Sequence, residues 1–124
     1  MKSFSSFIQQ NKTSEDKGYV TNIEQETMDN DSFRKVIYTA NDLQLVLMSL
    51  DPGQEIGEEV HPSTDQFIRV ESGQGVCILG NERFAVADGS AVVIPMGMKH
   101  NLINNADAEE SMKLYVIYSK PEHD

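Results

Sequence analysis

Gly53-Gln54-Glu55-Ile56-Gly57-Glu58-Glu59-Val60-His61-Pro62-Ser63-Thr64-Asp65-Gln66-Phe67-Ile68-Arg69-Val70-Glu71-Ser72-Gly73 is the stretch on which the fold turns. Glu59 and His61 are two residues apart, and in an extended strand such residues share a face. A carboxylate and an imidazole on one strand face can hold one metal ion. Pro62 bends the chain, and Gln66 opens the next apolar run, where it can aim back at the same spot. On this stretch alone two readings stay open: a solvated hairpin with a polar mouth, and half of a metal site.

A second stretch separates them. Gly89-Ser90-Ala91-Val92-Val93-Ile94-Pro95-Met96-Gly97-Met98-Lys99-His100-Asn101-Leu102-Ile103-Asn104 runs an apolar strand into a Pro-Met-Gly turn. His100 then begins another strand. Together the two stretches resemble the cupin signature, whose motifs are written GxxxxxHxHxxxxExxxxxxG and GxxxxxPxGxxHxxxN. Gly53, Glu59, His61, Gln66 and Gly73 fall on the first; Gly89, Pro95, Gly97, His100 and Asn104 fall on the second. The spacing matches at every position. The resemblance covers roughly Leu43 to Tyr118 and is closest to small single-domain bacterial cupins labelled "mannose-6-phosphate isomerase-like".

The resemblance implies that Glu59, His61, Gln66 and His100 are the ligands of one divalent metal, with Zn, Fe, Mn and Ni all open. It also implies a cupin barrel of the jelly-roll type and a homodimer whose N-terminal strands join the partner sheet. Two motif positions depart from the pattern. Its first His is Glu59 here, and its Glu is Gln66. The ligand charge nevertheless stays at one negative, which favours an altered site over a dead one. An amide oxygen is a weaker donor than imidazole, so affinity or selectivity should change. A turn one residue shorter after Pro62 would put Asp65 in the place of Gln66. Glu59, His61 and His100 by themselves make a two-His, one-carboxylate set, the kind that suits non-haem Fe(II) and oxygen.

The flanking sequence is read from local pattern. The 124 residues suit one domain, assigned here as a polar N-terminal arm over residues 1–18 and a single barrel over 19–124. Phe33 to Thr39 and Leu43 to Leu50 read as a hairpin about Asn41-Asp42. Gln66 to Val70, Val76 to Leu79, Arg83 to Val86, Ala91 to Ile94, Asn101 to Ile103 and Met112 to Tyr118 are further strands, and Gly80-Asn81 is a tight turn. Tyr19 to Ile23 has weak strand character, Glu24 to Asp31 reads as an acidic loop, and no helix is expected. Short strands between turn signals give an all-β sandwich or barrel.

Composition sets further bounds. A net charge of -10 argues against nucleic acid and anionic membrane as partners. Residues 1–12 hold no apolar signal core, and no apolar run is long enough to span a bilayer, so a cytoplasmic protein is expected. Cys77, the one cysteine, sits in an apolar strand and is expected to be an inert core thiol. His123 lies in the polar tail, away from both motifs.

Three functions fit: isomerase- or tautomerase-type chemistry on a sugar-like or keto compound, a dioxygenase, and a non-catalytic binder of a small polar molecule. A phosphosugar enzyme needs cations to clamp phosphate. Only Arg69 and Lys99, with Arg34 and Lys35 on an early strand, are near enough to consider, and strand parity turns Arg69 away from Gln66. Tyr38, Tyr115 and Tyr118 are candidate proton donors, each more simply read as strand packing. Asn104 is expected to hold a turn, and Gly53, Gly73 and Gly89 to occupy positive-φ turns.

Overall fold

A computed structural model describes residues 17–121. The expected arm, apart from its last two residues, and His123 lie outside them. Eight strands and one short helix follow in order: α1 (Ile23–Asp29), β1 (Arg34–Thr39), β2 (Gln44–Leu50), β3 (Gln66–Ser72), β4 (Gly75–Leu79), β5 (Glu82–Val86), β6 (Ala91–Ile94), β7 (His100–Asn104) and β8 (Met112–Tyr118). The strands form two sheets, β1-β2-β8-β3-β6 and β5-β4-β7. Every pairing is antiparallel. This is the all-β jelly-roll barrel that the resemblance implies, and one of the two architectures, sandwich or barrel, expected from the turn spacing.

Period-2 patterning puts the core between the sheets. In β8, Met112, Leu114, Val116 and Tyr118 point inward and are buried, alternating with half-buried residues. Two rows of inward residues can be followed across the large sheet. Val46, Val116, Ile68 and Val92 form one, wholly apolar. One repeat further along, the row reads Gln44, Tyr118, Gln66, Ile94. Gln44, Tyr118 and Gln66 are all buried. The interior therefore turns polar at one end of the barrel within a single row, and that end carries the site.

The crossing from the large sheet to the small one needs glycine. Gly73 takes φ +118, and a Cβ there would lie 2.9 Å from Met112 Cα. Gly75 opens β4 so close to β7 that a Cβ would stand 2.2 Å from the Ile103 carbonyl oxygen. Gly53 and Gly89 also have positive φ, as expected. The β4–β5 hairpin turns on Gly80-Asn81, with Leu79 opposite Glu82.

Two expectations fail at the N-terminal side. Tyr19 to Ile23 is no strand, and Ile23–Asp29 is helical where a loop was expected. Asn22 caps the helix by accepting from the Gln25 N–H, and Glu24 and Glu26 sit in its first turn, where the helix dipole favours acids. No basic residue lies in its last turn. Lys113, on the outward face of β8, supplies the cation instead, donating to the Asn30 carbonyl and pairing with Asp31 at 3.0 Å. The helix lies against β8, β3 and β2, with Thr27 fully buried. Seven residues do not make a stable helix alone; docking on the sheet does.

Candidate metal centre

The residues from Gln54 to His61 run alongside β7 in a strand-like path. Ile56 N–H donates to Leu102 O at 2.9 Å, and Glu59 and His100 exchange both backbone bonds, at 2.9 and 3.0 Å. Between these points the ladder breaks at Gly57, where φ is +102. The Asn101 side chain fills the gap. Its Oδ1 accepts from the Gly57 N–H at 2.9 Å, and its Nδ2 donates to Glu55 at 2.8 Å. This amide was not singled out from sequence, since nothing local marks it as the partner of a strand 44 residues away.

The backbone pairing sets Glu59 directly opposite His100, and His61 follows two residues on. Glu59 Oε1 lies 3.2 Å from His61 Nε2 and 3.8 Å from His100 Nε2. One ligand atom from each of the three residues lies within 4.8 Å of the others. Donors at about 2.0–2.2 Å from a shared ion are at most about 4.4 Å apart. Small side-chain rotations therefore suffice to bind one ion.

His100 is the anchor, with 2% exposure. Its Nδ1 is 2.9 Å from the Met98 carbonyl oxygen, which can only accept, so Nδ1 carries the proton. In the neutral ring that leaves the lone pair on Nε2. This atom is buried and has no hydrogen-bond partner among the described residues. The backbone carbonyl that fixes the tautomer is invisible to a reading of residue types. The His61 ring meets that of His100 at 5.2 Å and the edge of Tyr118 at 5.7 Å.

Gln66 begins β3, inward and 3% exposed, between Tyr118 and Ile94 in register. Its Oε1 is a second buried acceptor without a partner among the described residues. Asp65 is exposed and otherwise engaged, with Oδ1 accepting from the Met96 N–H at 2.9 Å. A buried, unpartnered imidazole nitrogen within the Glu-His-His cluster, with a second buried, unpartnered acceptor at Gln66 on the same polar row as Tyr118, fits a cation.

The other singled-out residues sort themselves by face. Of the tyrosines, Tyr118 faces the interior. Tyr115 packs on Phe67 outside, and Tyr38 stacks on Tyr19. Arg69 pairs with Glu71 and Lys99 with Glu58, at 3.7 and 3.2 Å, and neither is on the inward face. Asn104 holds Leu50 O and Glu110 O through its amide, as expected. Cys77 is buried, and burial pushes its thiol pKa up. No helix among the described residues is long and apolar enough to cross a membrane.

Two inward-facing motif loops closing a Glu-His-His cluster at the mouth of a jelly-roll barrel define the cupin class. The Cupin domain family model matches residues 46–118, and the chain belongs to that family. The Bacillus subtilis (strain 168) protein YrkC is 42% identical over 113 residues, covering 86% of this chain and 60% of YrkC. The chain thus spans less than two thirds of that relative. Protein L612 of Acanthamoeba polyphaga mimivirus is 41% identical over 108 residues, covering 85% of this chain and 67% of L612. The crystal structure of BH2720 from Bacillus halodurans superposes with a TM-score of 0.83 at 40% identity, covering 88% of this chain and 86% of that one.

Proposed function

We propose that Glu59, His61, Gln66 and His100 hold one divalent metal ion, and that the site acts on a small polar organic molecule by isomerase- or tautomerase-type proton transfer. The observation that carries this reading is the Glu59–His61–His100 cluster, with its donors within 4.8 Å of one another. The unpartnered His100 Nε2 and Gln66 Oε1 support it.

A bound divalent cation would supply Lewis acidity toward a carbonyl or hydroxyl oxygen. The chain's own groups supply the rest. Tyr118 and the amides of Gln44 and Gln66 line the row beside the site, and all three are uncharged. Such a wall suits hydroxyl and carbonyl groups. Neither Arg69 nor Lys99 offers a phosphate an inward cation there, since both are turned outward and ion-paired. Glu59 is the one carboxylate in the cluster, and its side chain is 39% exposed. It can take a proton from a bound molecule and pass it to solvent. In the cluster as it stands, His61 Nε2 and a Glu59 carboxylate oxygen already face each other at 3.2 Å.

The donor set favours one second reading. Two imidazoles and one carboxylate with open positions also suit Fe(II) and dioxygen. The deciding experiment is elemental analysis of protein purified without chelator or added metal. We expect about one equivalent of metal, lost in His61→Ala and His100→Ala and much reduced in Glu59→Gln. Iron with oxygen uptake would move the assignment to a dioxygenase. Metal retained in His100→Ala would sink the site, and no binding after reconstitution would leave a metal-free ligand binder. We also read residues 19–124 as one barrel domain that works as a homodimer, which light scattering on the purified chain tests.

A further inference from the structure

The contacts of Asp65, the alternative to Gln66 on sequence, point to a role other than ligand. Its Oδ1 accepts the Met96 N–H at 2.9 Å, reaching from the start of β3 to the turn before β7. Its own backbone is tied to the residue after β8. Asp65 N–H donates to Ser119 Oγ at 2.9 Å, and Ser119 N–H donates back to Asp65 O at 3.0 Å. The carboxylate is therefore mounted on the ends of two central strands.

The turn that it grips touches both histidines. Gly97 N–H donates to His61 O at 2.8 Å, and Met98 O receives His100 Nδ1–H at 2.9 Å. Met98 N–H closes the turn onto Pro95 O at 3.2 Å. One charge-assisted bond to Met96 thus fixes a four-residue turn whose next two polar groups set the His61 backbone and the His100 tautomer. Gln66, the residue after Asp65, shares the same mounting.

We propose that Asp65 is a positioning residue of the metal centre: its carboxylate clamps the 95–98 turn so that Met98 O holds His100 with Nε2 unprotonated and aimed inward. The inference rests on the proposed metal site, yet its first consequence is visible without any metal. Asp65 is exposed, so losing one bond there leaves the core untouched. What is lost is the orientation of a carbonyl two residues away.

The test compares wild type with Asp65→Ala and Asp65→Asn. Asparagine keeps an Oδ1 acceptor for the Met96 N–H; alanine does not. In metal-free protein, ring 15N shifts report the His100 tautomer. We expect the single Nδ1–H form in wild type and Asp65→Asn, and a tautomer mixture in Asp65→Ala. In Zn²⁺ titrations by calorimetry, Asp65→Ala should bind about tenfold more weakly with unchanged stoichiometry, and Asp65→Asn should recover most of that loss. A wild-type tautomer and affinity in Asp65→Ala would overturn the proposal. So would Asp65→Asn failing as badly as alanine, which would make the charge and not the acceptor responsible. Loss of stoichiometry in Asp65→Ala would make Asp65 a ligand. If wild type binds no Zn²⁺ while the tautomer still responds to Asp65→Ala, the metal reading fails and the clamp stands.

Discussion

Replacing Asn104 separates what the second motif does for stability from what it does for the site. Asn104 is fully buried, and its Nδ2 donates to Leu50 O at 2.9 Å and Glu110 O at 3.1 Å. These bonds tie the end of β2 to the loop before β8. Alanine removes both donors and strands two carbonyls. Each lost bond is worth about 1 kcal/mol, and a stranded buried acceptor raises that to about 1–3 kcal/mol. A total near 3 kcal/mol is expected. A chain of 124 residues has an unfolding entropy near 0.26 kcal/mol per kelvin, so Tm should fall by about 12 °C.

Aspartate in the same place sharpens the test. It offers acceptors to carbonyls that need donors, and full burial raises its folded pKa above the unfolded value of about 3.9. A carboxyl with a raised folded pKa loses stability as pH rises from the unfolded pKa through the folded one. Below that window the protonated group can donate once. Asn104→Asp should therefore approach Asn104→Ala at low pH and fall well below it by pH 8. The assay is thermal and urea unfolding at pH 5 and pH 8, with Zn²⁺ binding measured below the transition. A loss under about 1 kcal/mol in Asn104→Ala would refute the amide's role. A folded variant that no longer binds metal would place Asn104 in the site itself.

Three further outcomes follow from single contacts. Gly75→Ala sets a Cβ 2.2 Å from Ile103 O and 2.3 Å from Met112 Cε, so we expect at least about 3 kcal/mol of destabilisation and insoluble expression. Adding Met112→Ala should not restore it, because the Ile103 oxygen is backbone. Cys77, buried with a raised thiol pKa, should resist a disulfide reagent at pH 8 in the native state and react at once in denaturant; fast native labelling would contradict the packing. Asn22→Ala removes the cap of α1 and should cost about 1 kcal/mol in urea unfolding, with the metal centre unaffected.

The parts of this fold legible in the sequence are those coded over short spans. Met112–Tyr118 alternates cleanly, Gly80-Asn81 makes a two-residue hairpin, and both motifs keep their spacing. What was not legible depends on partners far along the chain. Helix α1 is completed by Lys113, 83 residues from the carbonyl it caps. The His100 tautomer depends on a backbone oxygen, and the path of Glu59 depends on the Asn101 amide. Parity did foresee that Arg69 turns away from Gln66, because a period of two admits no other arrangement within one strand.

The two departures from the cupin pattern make physical sense as one exchange. The usual motif places its carboxylate at residue 66, which here is 3% exposed and deep in the polar row. A lone carboxylate there costs several kcal/mol of desolvation whenever no cation faces it. An unpartnered amide oxygen costs about 1–3 kcal/mol. This chain keeps the amide on the floor and carries the acid at residue 59, where the side chain is 39% exposed and both imidazoles lie within 3.8 Å of it. Water then stabilises the charge before any ion arrives. Random loss of function at a metal site would be expected to delete the acid, or to leave it facing nothing. Moving it from floor to rim with its charge conserved, while His100 Nε2 and Gln66 Oε1 stay buried without a partner among the described residues, supports the proposed cation site.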